Sequence, residues 1–396
     1  HREKASELAV PLALHFEEAG MTVKAVEYLL QAGNRAARLF ANEEAIAHYR
    51  QGIELVETMD DIPQREQLEL RLLLALTVPL KATYGYSGDE LAQIFRRAQE
   101  LIHRSEASHD LFQTLSGFKT YYMVRGQFIK AREISEELLC VAAQLKDPGL
   151  TAFAHHQIGA TLLYLGQPNS FLDHREQMTS LYNHERDRSL IYQTGLDAQL
   201  VSLSHAGYAY WLLGYPDKSK EYSMQAINLA REWDNPFLLS HALMFGAILA
   251  FYRRDHETAR ELAQETIAVA SEHGHPLWLG GGLAILGWVL GEEGYLKKAL
   301  TNIQRGQEIL KNIGAWLSYT SNLTVLSEIY LNAGKKKDGL AVVDEALPQI
   351  VKMGGWMEGP EVHRLKGELL LLDEAMEDEA EACFQRAIAV AKEQQA

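Results

Sequence analysis

GEEGYLKKALTNIQRGQEIL, residues 291–310, and MVRGQFIKAREISEELLCVA, residues 123–142, are one pattern written twice. Each closes a helix, turns at a glycine (Gly294, Gly126), runs on to a small side chain (Ala299, Ala131) and continues as an amphipathic helix. The turn position recurs at Gly126, Gly166, Gly214, Arg254, Gly294 and Gly334, spaced 40, 48, 40, 40 and 40 residues. The residue that opens each second helix keeps the same clock: Ala131, Phe171, Ser219, Ala259, Ala299, Leu340 and Ala380. The single interval of 48 predicts an insertion of eight, placed around residues 181–188. Glycine suits the turn because a positive φ costs it nothing. The 4 and 3 spacing of Ala299, Ile303 and Gly306 puts them on one helical face.

Within each period the residues follow the tetratricopeptide pattern. Leu286-Gly287 stands before Leu290 and the Gly294 turn, and Ile158-Gly159 and Ala206-Gly207 take the same place before Gly166 and Gly214. That unit has about 34 residues, against 40 here. The six extra residues add nearly one turn to each helix at 3.6 residues per turn, so helices of about 15–18 residues are expected. The fold class read from this is all-α: a right-handed superhelical solenoid of tetratricopeptide-like helix pairs, with about 18 to 20 helices. Residues 1–110 fit less regularly. Phe16, Gly20, Ala25, Leu29 and Ala32 match one unit, residues 45–57 read as a second helix, and residues 68–84 as a long first helix. A turn at residues 85–88 precedes a partner opened by Leu91, Phe95 and Ala98. Residues 111–396 form the regular part of one continuous array.

The two ends carry a resemblance. LALHFEEAG and KAVEYLLQAGNRAARLFANEEAIAHYRQGIEL, within residues 12–55, resemble the start of the helical-repeat region of large bacterial signalling ATPases of the STAND class. HRLKGELLLL and EAEACFQRAIAVAKEQ, within residues 363–394, resemble its end. Cyclase-linked ATPases and maltose-activator-like regulators belong to that class. The resemblance implies a sensor region that receives a ligand or partner and passes the signal to an ATPase module outside this chain. The chain opens on His1 and is expected to be a piece of a longer protein. A free-standing scaffold or signalling-peptide receptor is the alternative.

Composition removes other classes. Of 396 residues, 38 are Lys or Arg and 53 are Asp or Glu, a net charge of −15. Such a surface repels nucleic acid and anionic membrane. Two cysteines, Cys140 and Cys383, cannot build a disulfide framework. Both are expected to be buried, and a cytoplasmic setting fits them. The most apolar run, residues 277–291, is too short to cross a bilayer. No phosphate loop, nucleophile elbow or H-E-x-x-H motif occurs. Gly280-Gly281-Gly282 reads as close helix packing. No catalytic residue, metal or cofactor is expected.

What remains is the concave face, lined by the first helix of each pair. Counting back from the turn places Met123, His156, Tyr164, Tyr208, Trp211, His241, Met244, Phe251, Tyr252, Trp288 and Glu328 along it. This wall is aromatic and almost free of charge, as an interface core is. It predicts a groove for a peptide, a protein or a small apolar effector, with Tyr208, Trp211, Phe251, Tyr252 and Trp288 as a continuous strip. The competing reading is that a tight superhelix buries these side chains against one another.

Overall fold

The computed structural model describes residues 8–85, 89–102, 108–187, 189–354 and 357–394. Most of the expected turn at residues 85–88, and Arg188 of the expected insertion, lie outside them. Among the described residues there is no strand, and nineteen helices have ten residues or more. Five precede the regular array: α1 (Ala9–Glu18), α2 (Thr22–Arg38), α3 (Asn42–Glu57), α4 (Ile62–Tyr84) and α5 (Asp89–Ile102). Six pairs follow: α6 (His109–Val124) with α7 (Phe128–Leu145), α8 (Pro148–Tyr164) with α9 (Pro168–Leu181), α12 (Ala198–Leu212) with α13 (Pro216–Glu232), α14 (Pro236–Tyr252) with α15 (His256–Glu272), α16 (Pro276–Glu292) with α17 (Leu296–Asn312), and α18 (Trp316–Asn332) with α19 (Lys336–Lys352). The last pair is α20 (Gly359–Leu370) and α21 (Glu377–Glu393). Two short helices, α10 (His184–Asp187) and α11 (Leu190–Thr194), occupy the 48-residue interval.

From α14 to α19 every helix has 17 residues. Two such helices and two three-residue turns make the period of 40. The middle residue of each of these turns has positive φ, at Arg254, Gly274, Gly294, Gly314 and Gly334. The backbone closes each turn alike: Tyr295 N–H donates to the Leu290 carbonyl at 2.9 Å and Lys335 N–H to the Tyr330 carbonyl at 2.8 Å. Arg254 keeps this geometry at φ 59° without being glycine.

First and second helices differ in what they bury. In α16 ten residues are buried, all round the helix. In α17 four are: Ala299, Ile303, Gly306 and Leu310, a single stripe. Small residues let the helices of a pair approach. A Cβ on Gly306 would lie 2.6 Å from the Gly280 carbonyl oxygen, and one on Gly287 3.0 Å from that of Ala299. Gly280, Gly281 and Gly282 all sit inside α16 against neighbouring helices.

Two expectations are corrected. The small residue opening α19 is Gly339, buried, rather than the half-buried Leu340. Its Cα faces Leu369, where any Cβ would collide at 2.5 Å. Cys140 is exposed and Cys383 half-exposed. The buried stripe of α7 is Ala131, Ser135, Leu138 and Ala142, and Cys140 falls on its outer side.

The superhelix winds far enough for its end to meet its middle. Met357 N–H donates to the Tyr164 carbonyl at 3.2 Å. Met353 packs where a Cβ on Gly126 would lie, and Gln394 does the same at Gly166. Earlier in the chain, Lys81 of α4 donates to the Thr194 carbonyl at 2.8 Å, tying the inserted helices to the N-terminal ones. The concave face thereby becomes an interior.

Candidate functional site: a chamber between the first helices

The first helices surround a cavity of about 170 Å³. Eight of the eleven expected residues line it: Met123, His156, Tyr164, Tyr208, His241, Met244, Phe251 and Tyr252. They come from α6, α8, α12 and α14, brought together because the 40-residue period returns each first helix to the same face. Across the cavity lie Leu317, Ser321 and Val325 of α18 and the Met357-Glu358 segment. The floor is therefore closed by residues about 150 positions away from Tyr208 in the chain.

Three expected residues do not line it. Trp288 is fully buried and packs edge-on to Phe251, 5.0 Å between ring centres, and flat on His256 at 4.8 Å. Its indole N–H donates to Glu328 at 3.0 Å. Glu328 also pairs with Arg254, whose guanidinium covers the Phe251 and Trp288 rings. This cluster behind the chamber buttresses the non-glycine turn. Trp211 stacks on Tyr252, 6.2 Å between centres, and is partly exposed outside the cavity. The strip is thus not one open groove. Its inner members face the chamber and its outer members hold the wall.

Several lining residues were not anticipated. Glu358 is buried against the Tyr208 hydroxyl at 3.1 Å and the Ser321 hydroxyl at 3.2 Å, and Tyr208 lies 2.9 Å from the Tyr252 hydroxyl. Burial pushes the Glu358 carboxyl up to about 7 despite these donors. Lys119 and His205 also line the cavity. Burial lowers the Lys119 ammonium to about 7 and the His156 and His241 imidazoles to about 3, and holds His205 well below the ordinary range. Lys119 stands four places before Met123 and His205 three before Tyr208, one helical turn along the same face, and a lone lysine in FKTYYM was the visible signal. Glu358 had no local signal, since only the closure of the superhelix brings it in.

Among the described residues, no group of three His, Cys, Asp or Glu is placed to hold a metal ion. Among the described residues no helix is long and apolar enough to cross a membrane. A second cavity of about 490 Å³ lies between α2, α4 and α11, with polar walls from Asn34, Arg71 and Gln193.

Residues 202–232 match the tetratricopeptide repeat family. The uncharacterized protein R02095 of Rhizobium meliloti (strain 1021) is 24% identical over 384 residues, covering 97% of this chain. The chain spans 37% of the length of that relative. Among solved structures, a Rap protein complexed with Competence and Sporulation Factor aligns with a TM-score of 0.67 at 13% identity, over 94% of this chain and 99% of that one. Aspartyl phosphate phosphatase F from Bacillus subtilis aligns with a TM-score of 0.52 at 14% identity, over 94% of this chain and 95% of that one. The class defined is a helical-repeat solenoid of the tetratricopeptide kind. Such repeats make protein-interaction modules.

Proposed function

We propose that the chain is a non-enzymatic receptor module that takes an apolar group of a peptide, protein or small effector into its chamber. The observation that carries this is the chamber itself: aromatic and methionine side chains from four successive first helices converge on one cavity closed by Glu358. A cavity of 150 Å³ with apolar walls binds a benzene-sized guest. A space of about 170 Å³ therefore suits one phenylalanine- or leucine-sized group rather than a whole peptide. The Rap protein named above was solved complexed with Competence and Sporulation Factor, in a fold that aligns with this one. The end motifs at residues 12–55 and 363–394, and the much greater length of the Rhizobium relative, support a sensor region of a STAND-type signalling or transcription-regulating ATPase, working in the cytoplasm. Its ATPase module would be the partner that reads the bound state.

The test is to fill the chamber. Ala160 lines it and is buried. Ala160→Phe should abolish binding of short hydrophobic peptides, read by calorimetry, while circular dichroism keeps its helical form. Undiminished peptide affinity in a folded Ala160→Phe variant would move the site elsewhere, with the polar N-terminal cavity next in line.

A further inference from the structure

One corner of the chamber is polar in a way that apolar binding does not require. Lys119 is only 5% exposed. Its ammonium has no hydrogen-bond or ion-pair partner among the described residues. Beside it run three imidazoles: His156 and His205 are stacked 5.7 Å apart, and His205 meets His241 edge-on at 6.1 Å. Four of their buried ring nitrogens, Nδ1 of His156 and His205 and both nitrogens of His241, have no partner among the described residues. Native interiors pair more than about nine in ten such groups. Glu358 is the one acid among the lining residues, and it is already hydrogen-bonded by Ser321 and engaged by Tyr208.

The corner holds one cation and three imidazoles, each offering an N–H beside an acceptor nitrogen, and no carboxylate faces the cation there. A carboxylate is the group that would both pair with the ammonium and accept from the imidazole N–H groups. The rest of the cavity, walled by Val201, Met244, Phe245 and Trp278, asks for an apolar body of phenyl size. We infer that Lys119, His156, His205 and His241 form a carboxylate-binding corner, and that the ligand is a carboxylate on a small apolar body, either a free acid or the C-terminal residue of a peptide. This rests on the chamber being the receptor site. Burial also keeps the histidines neutral and Lys119 only partly charged before the ligand arrives. An incoming carboxylate restores the ammonium and satisfies it.

The experiment compares 3-phenylpropionate with 3-phenylpropionamide on the whole chain by calorimetry near pH 7. In parallel, a short peptide ending in phenylalanine is tested with a free and with an amidated C-terminus. The acid or free-terminus form should bind at least tenfold tighter than its amide. Lys119→Met, which removes a buried cation and should fold, should bring that ratio to about one, and His241→Phe should lower it. Preference in the peptide pair alone assigns the peptide as source; preference in the small-molecule pair shows that a free acid suffices. Equal binding of acid and amide, or a ratio unchanged in Lys119→Met, overturns the corner and leaves the chamber reading standing. Absence of binding by all four probes overturns both.

Discussion

His241 holds both ring nitrogens buried without a partner among the described residues, 4.5 Å from the Phe245 ring and edge-on to Trp278 at 5.0 Å. A buried imidazole always carries at least one N–H, and leaving it unmatched costs about 1–3 kcal/mol. Phenylalanine has nearly the same outline and no polar atom. His241→Phe should therefore raise stability at pH 7 by about 1–3 kcal/mol in urea unfolding. The acid limb should change too. Burial lowers the folded pKa of His241 to about 3, from 6.5, so the unfolded chain takes the proton first as pH falls. Stability present above pH 6.5 is lost as pH drops toward 3. His156, His205 and Lys119 face the same space and act with the same sign, each over its own range. His241→Phe should flatten this acid loss. A variant less stable than wild type, with an equally steep acid limb, would show that His241 has a partner in solution. If His241→Phe is the more stable protein, position 241 combines lower stability with a stronger site, a common exchange at binding residues.

At the scale of helices, the contact between α16 and α17 decides the pair. Ala299 has no exposed surface, and the backbones approach so closely that Gly306 has no room for a methyl. Ala299→Leu should cost about 1–3 kcal/mol by overpacking. Gly306→Ala should also destabilise, although alanine favours helix by about 1 kcal/mol over glycine. Thermal melts unchanged by both would place the register elsewhere. This register was legible in the sequence because small residues at a fixed spacing are a direct imprint of close helix approach. The slip at Leu340 has a physical origin: Gly339, the residue that fits against Leu369, reads as an ordinary turn glycine beside Gly334. Cys140 was misplaced because SEELLCVA is apolar enough to hide which side of α7 faces out. Helix spacing also put eight wall residues on the chamber and could not tell Trp288 from them, since an indole at a lining position can turn behind the wall when Glu328 waits for its N–H.

At the scale of the whole molecule, the closure that makes a chamber from a groove is a long-range event with no local trace. Glu358 reaches Tyr208 of α12 and Ser321 of α18 across the chamber. Its folded pKa of about 7 lies above the ordinary 4.5, so the fold prefers the protonated carboxyl. The stabilisation is complete below about pH 4.5 and fades as pH rises to about 7. Glu358→Gln keeps an acceptor and a donor but cannot ionise. Relative to wild type, its melting temperature should climb between pH 4.5 and 7 and run level above that. Parallel curves would mean that the carboxyl ionises freely and the closure does not bury it.

The central claim is that the chamber takes the apolar part of a ligand. Three of its wall residues, Met123, Met244 and Met357, are methyl reporters, while Met224 is exposed on α13, remote from the chamber lining. Methyl-labelled methionine spectra of the full chain, titrated with 3-phenylpropionamide, test it most directly. Met123, Met244 and Met357 should show saturable shifts, with Met224 unmoved. Saturable shifts that leave those three in place, or no shift at all up to millimolar probe, would contradict it.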